Sequence, residues 1–104
     1  MLADIYVPNT SSGVGSKLMK RSRTQVIMDI LIEALKGANK TRIMYRANLN
    51  FLRFERYFGE LLRAGLVEVV DNPGNEFGGV VYRTTGRGRE LLETLRKASE
   101  FIEL

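Results

Sequence analysis

Between positions 22 and 35 the apolar residues recur at helical spacing, and Ile27, Ile30, Leu31, Ala34 and Leu35 fall on one face. Ser22-Arg23-Thr24-Gln25 precedes them and fits a capping box: the Ser22 hydroxyl accepts from the amide three residues on, and Gln25 reaches back to the cap. Gly37 suits the end of this helix. Met28 and Ile32 lie beside the main face and predict a second packing surface. Thr41 can cap a short second helix from Arg42 to Ala47 that buries Ile43 and Met44. Asn48-Leu49-Asn50 reads as a turn whose last residue caps a third helix, Phe51 to Ala64, stopped by Gly65. On that helix Phe51, Phe54, Phe58, Leu61 and Leu62 share one side; Arg53, Arg56, Glu60 and Arg63 take the other.

The pattern then changes period. Leu66–Val70 and Val80–Thr84 are β-branched and partly alternating, and the stretch between them is dense in Asn, Pro and Gly, which predicts a β-hairpin with a long loop. Thr85 caps a last helix running to Leu104, roughly 30 Å at 1.5 Å per residue, with a first turn frayed by Gly86 and Gly88. Along it Leu91, Leu95, Ala98 and Ile102 step by four, three and four, the seam of a coiled coil, with Leu92, Phe101 and Leu104 beside it. Two readings stay open: a helix folded back on its own domain, or a homodimer made through this seam together with Met28 and Ile32. The order of elements is that of an α+β winged helix-turn-helix, three helices plus a β-hairpin wing. It divides the chain into a flexible basic tail (1–21), a winged-helix domain (22–84) and a C-terminal coiled-coil or dimerisation helix (85–104). The linker around Asn39 and Lys40 is placed to supply a small first strand.

Composition removes much of enzymology. Among 104 residues there is no His, Cys or Trp, so structural zinc sites, His-based acid–base schemes and disulfides all lack a member. No carboxylates cluster at ligand spacing with other donors, and Gly86-Arg87-Gly88 lacks the ending of a phosphate loop. The expectation is no enzyme, no cofactor, no metal and no small-molecule substrate. No apolar run reaches the roughly 18 residues of a membrane span, nor does the N-terminus resemble a signal peptide, which predicts a cytoplasmic protein with no membrane partner.

The net charge of +4 is unevenly spread. Residues 17–65 hold 11 basic and 4 acidic side chains, whereas residues 66–104 hold 5 basic and 7 acidic ones. Basicity is thus concentrated on the helical half, and within the third helix on the side that does not pack, which points to a polyanion.

Three stretches carry a family likeness: Lys40 to Asn50, Leu61 to Val67, and Tyr82 to Gly88 with the leucine-rich helix behind it. Over about residues 22–104 the chain resembles the archaeal winged helix-turn-helix DNA-binding family, most of all the small, basic, chromatin-associated proteins of crenarchaea. The resemblance implies an antiparallel coiled coil of terminal helices, two winged-helix heads on DNA and no catalysis. Residues 1–21 have no counterpart in that pattern, and Leu52 stands where the family often places a polar or basic residue.

The expected contacts with double-stranded DNA follow from residue chemistry. Arg53 and Arg56 can reach phosphates or guanine edges, unless they pair with Glu55 or Glu60 along their own helix. Asn50 can cap the helix and also donate to phosphate. Arg42 and Arg46, four apart on the second helix, suit phosphate positioning. Lys17, Lys20, Arg21 and Arg23 form a basic cluster usable as an arm or merely as a solubilising tail. In the wing, Asn75 and its neighbouring glycines carry no positive charge, leaving Arg83 at the base as the candidate. Phe54, Phe58 and Tyr82 read as core. The functional expectation is a dimeric, nucleoid-associated architectural protein of little sequence specificity. The alternatives are a sequence-specific transcriptional regulator of the same fold and a protein-interaction winged helix that binds no DNA.

Overall fold

The computed structural model describes residues 21–70 and 79–102. The predicted tail with Lys17 and Lys20, the loop around Asn75, and Leu104 lie outside the described residues. The elements run α1 (Arg23–Glu33), α2 (Lys40–Arg46), α3 (Phe51–Arg63), β1 (Val67–Val70), β2 (Val81–Thr84) and α4 (Gly86–Ser99). This is the α+β winged-helix order that the sequence predicts.

Each helix start is fixed by a side chain that takes an otherwise orphaned amide. Ser22, Asn39, Asn50 and Thr85 accept from the amides of Gln25, Arg42, Arg53 and Gly88 respectively. Two details depart from expectation. Asn39 rather than Thr41 caps α2, because the backbone at Ala38 is already extended and bonded in both directions to Tyr82 at 2.9 Å. That isolated bridge is all that the structure keeps of the small first strand. The reciprocal half of the capping box is also missing, since the Gln25 amide donates to Asp29 at 2.8 Å instead.

Helix ends are equally specific. In α3 the Gly65 amide donates to the Leu62 carbonyl and the Leu66 amide to the Leu61 carbonyl, a Schellman motif in which Gly65 takes φ +74°. In α2 Asn48, at φ +58°, plays the same part with Tyr45 and Met44 as acceptors. The turn between α2 and α3 is therefore a C-cap followed directly by the Asn50 N-cap, which holds the two helices at a fixed angle. The end of α1 differs from the prediction: Ala34 is its C-cap, and Gly37 lies three residues later, at φ +94°.

β1 and β2 pair antiparallel with Val67 opposite Thr84 and Val70 opposite Val81. The core beneath them joins Val26, Ile30 and Leu31 of α1, Ile43 of α2, Phe54, Phe58 and Leu61 of α3, and Leu92 of α4. Stacked Phe54 and Phe58 rings lie 4.8 Å apart, and Tyr82 meets Phe58 edge-on at 4.9 Å, so the wing is seated on α3 by aromatic contact. Thr84 is buried, and its hydroxyl donates at 2.7 Å to the Leu31 carbonyl, one of the orphan acceptors of α1's last turn.

Helix α4 packs against α1 and corrects three expectations. Its first turn is pinned rather than frayed, because the Thr85 hydroxyl donates to the Gly65 carbonyl at 2.7 Å while accepting from Gly88. It ends at Ser99, about 21 Å at 1.5 Å per residue, and is shorter than predicted. Met28 and Leu92 are buried in the chain's own core, with Leu91 and Leu95 packed against it, so the first half of the seam serves this chain itself. What stays open to a partner is Ile32, half-buried Ala98, and the exposed pair Phe101 and Ile102 just beyond the helix.

Candidate nucleic-acid interface

The outer surface of α2 and α3 is built by their caps. With Asn39 and Asn50 fixing both starts, Ile43 and Phe54 turn inward, and the residues on the opposite side of each helix turn out. Arg42 and Arg46 on α2, and Arg53 and Arg56 on α3, are exposed. None of the four makes an ion pair among the described residues. Asn50 is exposed too, its carboxamide oxygen committed to the Arg53 amide at 2.9 Å, which leaves its NH2 group facing solvent.

The carboxylates that were candidates to neutralise Arg53 and Arg56 are taken by other cations. Lys40 pairs with Glu55 at 3.3 Å and lies over the Phe58 ring. Arg23 pairs with Glu60 and lies over the Tyr57 ring, 5.4 Å from its centroid. Both acids of α3 are thus held from outside the helix. Among the described residues, α3 presents Arg53, Arg56 and Arg63 as its unpaired charges.

Two other expected DNA contacts have structural duties. Arg21 bonds Asp29 at 2.7 Å and donates to the Asn48 carbonyl at 3.0 Å, so it ties α1 to the turn between α2 and α3. Arg23 clamps α1 to α3 through Glu60 and Tyr57. Neither is a free arm, which corrects the reading of a basic cluster before α1 as far as it falls on described residues. Arg83 sits opposite Glu68 in the register, with 3.9 Å between their charged groups, a loose exposed pair from which Arg83 can be drawn.

Four more residues are exposed on α2 and α3 that the sequence did not mark as candidate contacts. Arg63 was visible on α3's outer side; its guanidinium lies over Gly59, where an added Cβ would stand 3.2 Å from it. Tyr45 is 81% exposed on α2 between Arg42 and Arg46. Phe51, read on the apolar side of α3 with Phe54 and Phe58, is 63% exposed, and Leu52 beside it 76%. At the first turn of α3 the inward position belongs to Phe54 alone, and helical spacing by itself does not say where along a helix the core begins. No group of three or more acidic, His or Cys side chains is placed to hold a metal ion, and no helix is long and apolar enough to cross a membrane, among the described residues.

A helix-turn-helix with unpaired arginines and a hairpin seated behind it defines a winged-helix domain, and the chain belongs to the winged helix-turn-helix family, whose model matches residues 20–103. An uncharacterized protein of Methanocaldococcus jannaschii is 34% identical over 86 residues, which make up 81% of this chain and 36% of that one. The chain therefore spans about a third of that relative's length. Among solved structures, Sso10a-2, a DNA-binding protein from Sulfolobus solfataricus, is similar with a TM-score of 0.67 and 20% identity, over 80% of this chain and 83% of that one. A mutant of MarR from E. coli, complexed with operator DNA, is similar with a TM-score of 0.57 and 18% identity, over 79% and 56% of the two chains. At such identities these likenesses show a shared fold.

Proposed function

We propose that this chain binds double-stranded DNA as a homodimer and organises it chiefly through phosphate contacts, with α3 in the major groove and α2 against the backbone. The observation that carries this reading is the division of charge. Asp29, Glu55 and Glu60 are each engaged by Arg21, Lys40 or Arg23, which leaves Arg42, Arg46, Arg53 and Arg56 exposed on the helix-turn-helix and without an ion pair among the described residues. The likeness to a DNA-binding protein of Sulfolobus supports it. In this reading the protein is cytoplasmic and nucleoid-associated and carries out no chemistry.

Homodimerisation draws support from Phe101 and Ile102, 84% and 63% exposed at the end of α4, where a solitary chain leaves two large apolar side chains in water. A second reading, a sequence-specific regulator, is favoured by the shared fold with MarR on operator DNA. The ratio of affinities for a selected site and a random duplex separates the two.

The test is duplex affinity measured against salt, beside a mass in solution. A steep fall is expected, each neutralised phosphate adding about −0.9 to the log–log slope. A flat response would mean that the basic surface meets a protein or nothing. Light scattering should return twice the chain mass of 11.8 kDa, and Ile102→Glu should return it to the single-chain value.

A further inference from the structure

The outermost line of α3 runs through Leu52, Arg56, Gly59 and Arg63, spaced four, three and four apart. Its cationic members are explained by phosphate. Leu52 is not: it is 76% exposed at the end of the helix that enters the groove first. Phe51 adds a second apolar surface beside it, lining a recess of about 290 Å³ between α2 and α3 with Lys40, Thr41 and Met44. The Leu52 isobutyl group follows Phe51 and stands one turn before Arg56, an apolar side chain bordered by charge that no described carboxylate neutralises. A polyanion that also offers an apolar feature at groove depth meets both demands. In the major groove that feature is the thymine 5-methyl group, the one hydrocarbon projection on any base edge.

We infer that Leu52, with Phe51 beside it, packs against thymine methyls in the major groove and gives this protein a preference for thymine-bearing duplex. The inference rests on the duplex-binding reading above and adds base readout to it. Arg53 and Arg56, exposed on the same helix, set the depth by gripping phosphates. The Asn50 cap, closed on the Arg53 amide at 2.9 Å, fixes where the first turn begins. The contact is apolar, so it discriminates modestly and shifts binding towards A·T-rich DNA without defining a single operator.

The experiment compares an alternating dA·dT duplex with the dA·dU duplex of the same length, which lacks only the 5-methyl groups. The full chain should bind the uracil duplex about fourfold more weakly per methyl covered, the worth of one buried carbon. Leu52→Ala should bind the two duplexes equally while its melting temperature stays that of the wild type. Arg56→Ala should weaken both duplexes and preserve their ratio. The inference is overturned if wild type binds both duplexes alike, or if the ratio survives Leu52→Ala, since the methyls would then act through DNA shape. It is also overturned if Leu52→Ala changes the mass in solution, because the patch would then be an interface between copies. Failure to bind either duplex would instead remove the duplex-binding reading itself.

Discussion

Replacing Arg53 and Arg56 together by Ala should halve the salt sensitivity of DNA binding while leaving the fold intact. Four guanidiniums without an ion pair among the described residues, from Arg42, Arg46, Arg53 and Arg56, each set against one phosphate, give one head a log–log slope of about −3.6 at −0.9 per phosphate. Raising salt fourfold then weakens binding roughly 150-fold. Without the two α3 arginines the slope is about −1.8, and the same salt step weakens binding only roughly 12-fold. Both side chains are exposed and make no ion pair among the described residues, so stability should change by no more than about 0.5 kcal/mol. Fluorescence anisotropy with a labelled duplex at several salt concentrations reads the slope, and a thermal melt checks the fold. Arg96→Ala is the control: Arg96 is exposed in the last turn of α4 with no ion pair among the described residues, and its loss should change stability by no more than about 0.5 kcal/mol and leave the slope alone. Parallel salt lines for wild type and the double variant, or a changed slope in the Arg96 control, would refute the assignment of the interface to α3.

Two further substitutions test the joints that hold the interface in place. Gly88→Ala would set a methyl 2.2 Å from the Leu66 carbonyl oxygen and 2.6 Å from a Thr84 methyl, and backbone stands on one side of that gap. It should destabilise by at least about 2 kcal/mol, lowering the melting temperature by roughly 8–16 °C; an unshifted melt would show that α4 has room to move. Thr84→Val preserves shape but deprives the Leu31 carbonyl of its donor, a loss of about 1–3 kcal/mol that urea unfolding should register as a lower midpoint at constant m-value.

Which parts of this molecule were legible in the sequence depends on how far away the deciding partner sits. α3 was placed within a residue because both its stops are local: Asn50 caps it and Gly65 supplies the left-handed residue. α2 was misplaced at its start because Asn39 and Thr41 are both good caps, and the choice was made by the bridge from Ala38 to Tyr82, 44 positions on. The seam on α4 has correct periodicity, yet periodicity does not name the surface it meets, and Leu91, Leu92 and Leu95 turned out to meet this chain's own core.

The charges follow the same logic with a functional consequence. Judged locally, Glu55 and Glu60 were the natural partners of Arg53 and Arg56. In the fold each acid is claimed by a cation from elsewhere: Glu55 by Lys40, 15 positions away, and Glu60 by Arg23, 37 positions away. Those distant cations bring with them something a helix neighbour lacks, an aromatic face beneath the charge, Phe58 under Lys40 and Tyr57 under Arg23. The packing that closes the core therefore also decides which arginines remain uncompensated. A substitution at Tyr57 that weakens the hold on Arg23 would free Glu60 to turn towards the arginines on its own helix, so core aromatics govern the potential of a surface they do not reach.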